Sequence, residues 1–135
     1  MHNRRYDRQS RETLYDFSLA LERIAAAAQA ARILSFPFIL TARAHNFMYA
    51  NPSLHHTIKL LQAFERAGAD VLFAPGLPDI HAVRAVCTAV SKPVNFMVGI
   101  KGKSFSVALV ELTYRWRPAQ ATIAIEAVLV LLCYK

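Results

Sequence analysis

The 135 residues are 55% apolar and 19% charged, with few Gly or Pro, which can support a sizeable core and excludes a disordered chain. A net charge of +7 and a pI near 9.9 raise nucleic acid or a membrane surface as partners, but the charge is unevenly placed. Arg4, Arg5, Arg8 and Arg11 crowd the first dozen residues beside a single aromatic, Tyr6, and no nucleic-acid reader motif accompanies them, so residues 1–15 read as a solvated basic arm.

That arm has no apolar segment of the signal-peptide kind, and no run in the chain reaches the roughly 18 uncharged apolar residues of a membrane helix. The apolar stretch from Ala121 to Cys133 is short and contains Glu126. Cys87 and Cys133 lie in apolar surroundings without CxxC spacing and read as small buried hydrophobes, which suits a reducing cytoplasm. The expectation is a soluble cytoplasmic protein with neither nucleic acid nor membrane as partner.

From Asp16 to Leu34 the chain is rich in Ala, Leu, Glu and Arg, and Leu21, Ile24, Ala28 and Ala31 recur at three- and four-residue spacing, which predicts a helix. Ser35, Phe36 and Pro37 end it, and Phe38 to Ala42 is a short apolar run suited to a strand buried on both faces. After a polar loop, Ser53 is placed to cap a second helix that carries Leu54, Ile58, Leu61 and Phe64 and stops at Gly68. Val71 to Ala74 is the next strand. Pro75, Gly76 and Pro78 form a loop, Asp79 caps a third helix with Ile80, Val83, Val86 and Cys87, and Val94 to Val98 is a third strand. Beyond Leu112 the pattern degrades into a β-branched, leucine-rich tail, residues 113–135, that could be helix or strand and lacks a polar face.

Strands alternating with helices predict parallel pairing through right-handed crossovers, hence an α/β fold over residues 16–112. Barrel and open sheet share this pattern, but no GxGxxG or Walker-type loop follows any strand, which disfavours a nucleotide-binding open sheet. A complete (β/α)8 barrel takes about 250 residues, so the barrel reading is a partial, incomplete TIM-type barrel.

In such folds ligands sit at the C-terminal ends of the strands, which nominates three residues. Arg43 ends the first strand, where its planar fork can grip a carboxylate or phosphonate; a structural ion pair is the plainer account. Gly76 follows the second strand and would let backbone approach a ligand, but the signal is weak and a tight turn capped by Asp79 is the better account of the same residues. Asn95, followed by Gly99, stands in an apolar run and must find partners in substrate or backbone. His2, His45, His55, His56 and His81 show no metal-ligand spacing, and His55 and His56 are expected on an exposed helix start. No GxSxG, P-loop or close carboxylate pair supports a hydrolase, NTPase or glycosidase.

The segments YDFSLALERIAAAAQAAR, FPFILTARAHNF, TIKLLQAFERAGADVLFAPGLPD and VSKPVNFMVG together resemble the isocitrate lyase/phosphoenolpyruvate mutase superfamily, closest to its 2-methylisocitrate lyase-like and phosphonomutase-like members. The likeness runs from Tyr15 to about Val107, roughly two-thirds of the chain, and implies a C-terminal partial barrel. In that family an arginine closing a strand binds the substrate's carboxylate, and Arg43 occupies its place, while Asn95 faces the pocket mouth. Members cleave or form C–C bonds of 2-hydroxy acids, or make and break P–C bonds, through an enolate-like species stabilised by Mg2+ (magnesium).

The departures are as informative. The family's acidic magnesium ligands and mobile catalytic loop belong to strands upstream of the helix that begins near Asp16, and residues 1–15 hold no counterpart. His45 stands where an acid is usual, His55 and His56 replace an acidic pair, and the small-residue-rich final strand is not recognisable after Leu112; a shifted reading frame near the end would account for that last change. The expectation is therefore an enzyme-family fragment that keeps part of a pocket for a small carboxylate or phosphonate and is inactive alone. The alternative is a non-catalytic half-barrel binding or assembly module. Either one leaves parallel strand edges to be covered by self-association or by a complementary barrel half.

Overall fold

The computed structural model describes residues 14–48 and 52–95 and the backbone of 128–132. Helix α1 spans Phe17–Arg32, and the Asp16 carboxylate opens it by accepting from Ser18 N at 3.2 Å and from Ser18 Oγ at 2.5 Å. Its buried stripe is Ala20, Ile24 and Ala28, so the helix turns its four-residue repeat inward while Ala31 is only half-buried. Strand β1 is Ile39–Arg43, one residue further along than the apolar run suggested, and a short 3-10 turn, Asn46–Met48, follows it.

Helix α2, Leu54–Ala67, begins at Ser53, whose Oγ accepts from His56 N at 3.3 Å. It closes at Gly68, which takes a left-handed φ of 107° and lets Ala69 N donate to Phe64 O at 3.0 Å. Leu60, Leu61, Ala63 and Phe64 are buried, with Leu54 and Ile58 half-buried beside them. Strand β2 is Val71–Phe73, α3 is Ile80–Ala89, and β3 is Val94–Asn95; the rest of the third predicted strand lies outside the described residues. Asp79 caps α3 as the sequence implied, accepting from Ala82 N at 2.8 Å. Two side chains of α2 brace this end of the fold. Gln62 Nε2 donates to Ala89 O at 2.9 Å, and the Glu65 carboxylate accepts from Ser91 N at 3.0 Å, from Lys92 N at 3.1 Å and from Ser91 Oγ.

Strand β4, Val128–Leu132, comes from the apolar tail and decides between the two readings left open for it: this part of the tail is a strand. The sheet order is β3-β2-β1-β4, and every pairing is parallel. Thr41 faces Val71, Arg43 faces Phe73, and Phe73 faces Asn95. On the other side of β1 all five residues pair in register, from Ile39 with Val128 to Arg43 with Leu132. The outer edge of β1 is thus covered by the chain's own tail, and among the described residues the sheet ends in β3 on one side and β4 on the other.

Alternation along the strands sorts the two faces of the sheet. Leu40, Ala42, Leu72 and Val94 join Ala20, Ile24, Leu61, Phe64, Val83 and Val86 in one core under the helices. Burial of each large side chain there contributes about 1.5–3 kcal/mol, so this layer holds the described fold together. Thr41, Arg43, Phe73 and Asn95 take the alternate positions and face away from the helices. Helices outside and an inner row of strand residues are the arrangement of a barrel wall, here an α/β partial barrel.

Candidate functional site

The last residues of β1, β2 and β3 lie in one row, Arg43, Phe73 and Asn95, at the C-terminal ends of parallel strands. Strand spacing sets Arg43 and Asn95 roughly 10 Å apart at the backbone, with Phe73 between them. The Arg43 guanidinium lies over the Phe73 ring, 5.2 Å from its centroid. Arg43 is half-buried and its Nε is enclosed, with no hydrogen-bond partner among the described residues. A buried donor left this way costs about 1–3 kcal/mol, which an oxygen acceptor entering at this end of the sheet would recover.

Asn95 is exposed, so solvent satisfies its amide, and the argument that it must find an internal partner falls away. It shares the row and the sheet face with Arg43. Gly76 takes a φ of 81°, and a Cβ placed on it would lie 3.1 Å from Met48 Sδ and 3.3 Å from Phe47 O. The loop after β2 is therefore packed on the turn after β1, and the need for glycine arises from that packing at the rim. The register brings Arg43 and Asn95 onto a common sheet face with Phe73 between them, and Phe73 was not nominated from the sequence because its pairing with Arg43 exists only through that register.

The turn after β1 carries the departures. His45 and Asn46 are both buried, and Asn46 Oδ1 has no hydrogen-bond partner among the described residues. They line a cavity of about 50 Å3 with Tyr15, Phe17, His56 and Leu60, on the helix side of the sheet rather than on the Arg43 face. Tyr15, assigned to the basic arm, packs on the core and stacks with Arg23 at 4.7 Å, whereas residues 1–13 lie outside the described residues. His55 and His56 are exposed as expected. Cys87 is half-buried, and desolvation pushes its thiol above the usual range, in keeping with a small hydrophobe; Cys133 lies outside the described residues. A larger hollow, about 250 Å3, lies at the opposite end of the sheet between Arg32, Phe36, Phe38, Gly68 and Asp70.

Among the described residues no three His, Cys, Asp or Glu side chains gather as metal ligands, and no helix is long and apolar enough to cross a membrane. The acids nearest the strands are occupied elsewhere: Asp79 caps α3, and Asp70 Oδ2 accepts from Leu40 N at 2.9 Å at the N-terminal end of β1. With a guanidinium as the charge at the mouth, the described residues do not fit a magnesium ion.

A model of the phosphoenolpyruvate phosphomutase family matches residues 3–113. The crystal structure of a protein from Burkholderia cenocepacia J2315 assigned as a lyase/mutase superposes with a TM-score of 0.71 at 44% identity, covering 73% of this chain and 36% of that one. The chain thus spans little more than a third of that relative's length. A search of curated proteins found no match. Parallel strands alternating with outer helices, the Arg43 row at their C-terminal ends and the match over most of the chain agree, and the chain belongs to the phosphoenolpyruvate phosphomutase family of the isocitrate lyase/phosphoenolpyruvate mutase superfamily.

Proposed function

We propose that this chain forms part of the substrate wall of a lyase or phosphonomutase of that superfamily and binds a small carboxylate or phosphonate through Arg43. The enclosed Nε of Arg43, without a partner among the described residues, carries this reading, since a charged donor in that state is best completed by an anionic oxygen. Asn95, at the other end of the row, offers an amide to the far end of a short ligand, and Gly76 shapes the rim. Phe73 supplies an apolar floor that lowers the local dielectric around the ion pair.

The family's reaction, C–C cleavage of a 2-hydroxy acid or P–C bond rearrangement, needs an enolate-like charge to be stabilised, and magnesium supplies that stabilisation when bound. The described residues offer no ligand set for it, so binding and orientation of the acid are the steps assigned to these residues.

Calorimetric titration with succinate, pyruvate and phosphonoacetate tests the reading. Binding by the wild-type chain that falls at least about tenfold in Arg43→Met and partly recovers in Arg43→Lys is the expected result. Equal affinity in wild type and Arg43→Met would exclude Arg43 as the anion site.

A second reading, a non-catalytic half-barrel binding or assembly module, is favoured by β4, which stands beside β1 where a further barrel strand would go. Magnesium-dependent turnover of 2-methylisocitrate or a phosphonate by the purified chain supports the enzyme; a discrete, inactive oligomer that still binds the acid supports the module.

A further inference from the structure

In a parallel barrel consecutive strands are neighbours, so β1 has β2 on one side and, on the other, the place of the strand that precedes it. That place is taken by β4, paired in register along all five residues of β1. The segment Val128–Leu132 is continuous in Val and Leu, the composition of a strand enclosed in a parallel sheet. β4 lies at the opposite edge of the sheet from β3, so residues 96–127 carry the chain across to it.

The ladder identifies which β1 groups depend on this strand. Leu40 O accepts from Asp70 N at 2.9 Å and Ala44 N donates to Phe73 O at 2.8 Å, so residues 40, 42 and 44 turn their backbone groups toward β2. By the alternation of a parallel ladder, the N–H and C=O of Ile39, Thr41 and Arg43 turn toward β4. The main chain of Arg43 is therefore bonded on the tail side.

We propose that residues 128–132 act as a stand-in stave. They seal the outer edge of β1 against a preceding strand, whether from this chain or from a second copy, and they hold the backbone of Arg43 in the sheet. A strand belonging to the same chain is presented at an effective concentration on the order of millimolar, so the chain's own segment outcompetes a second copy at ordinary protein concentrations. The proposal does not depend on what Arg43 binds.

Amide hydrogen exchange followed by NMR on the full chain provides the test, with Ala42, which faces β2, as internal reference. Thr41 and Arg43 are expected to be protected in the wild type and to exchange about tenfold or more faster in Leu131→Pro, which removes an N–H directed at β1, while Ala42 keeps its protection. Free-peptide exchange rates at Thr41 and Arg43 in the wild type would overturn the proposal.

Should Leu131→Pro unfold the chain, a cross-link decides. Ile39→Cys with Val128→Cys, in a Cys87→Ala and Cys133→Ser background, is expected to close a disulfide within one chain on oxidation. A disulfide formed only between chains, or none, would overturn it.

Discussion

The guanidinium of Arg43 rests on the ring of Phe73, 5.2 Å from its centroid, because the two residues are direct partners across β1 and β2 and project from the same face. A long, flexible side chain is thereby held against a flat support before any ligand arrives. Replacing Phe73 with Leu keeps apolar volume but removes the π face, worth about 0.5–2 kcal/mol, so carboxylate affinity is expected to fall roughly two- to thirty-fold. Phe73→Tyr should retain it. Calorimetry with succinate on both variants checks this, and unchanged affinity in Phe73→Leu would reduce the ring to packing.

Gly68 ends α2 at a φ of 107°, and a Cβ there would lie 2.7 Å from Arg32 Nη2 and 2.9 Å from Ala28 Cβ. Arg32 can swing away, but Ala28 belongs to the buried stripe of α1 and cannot. Gly68→Ala is expected to destabilise the fold by about 1–2 kcal/mol, visible as a lower urea midpoint with an unchanged slope.

The Asp16 carboxyl is held below its ordinary value of 3.8, first by the Ser18 hydroxyl and then by the Ser18 amide. A lowered native value means that the cap stabilises above the unfolded value and that its contribution disappears as pH falls through the native one. Asp16→Ala should therefore lower stability near neutral pH, with a difference from wild type that shrinks as the solution is acidified below the ordinary value. Denaturant titrations at several pH values measure it; a constant difference would assign the effect to helix geometry instead of charge.

Burial raises the Cys87 thiol above its usual 9.0, so little thiolate is present near neutrality. Alkylation of Cys87 by iodoacetamide is expected to be slow in the native protein and rapid in denaturant. Fast native labelling would show that this part of α3 opens frequently.

Helix periodicity and capping chemistry were legible in the sequence because they are local: Ser53, Gly68 and Asp79 all act as read, and the stretch that starts at Asp16 is the first helix. The place of Arg43 was legible, since it closes the first apolar run and stands at the C-terminal end of β1. What escaped was non-local. Nothing in VLVLL names β1 as its neighbour, because a parallel pairing joins segments far apart in the chain and leaves no turn signature between them. Phe73 escaped for the same reason, as its partnership with Arg43 exists only through register. Asn95 was misjudged because an apolar stretch suggested burial, whereas the last residue of the described strand faces solvent.

Strand β3 has only two described residues in its ladder, yet its approach is tied to α2 through Gln62 on Ala89 and Glu65 on Ser91 and Lys92. The third stave is thus tied to a neighbouring helix as well as to its sheet. The two anchors stand one helical turn apart, so α2, the end of α3 and the start of β3 must shift together, and any drift of that unit would carry Asn95 along and change the reach between it and the cation across the row.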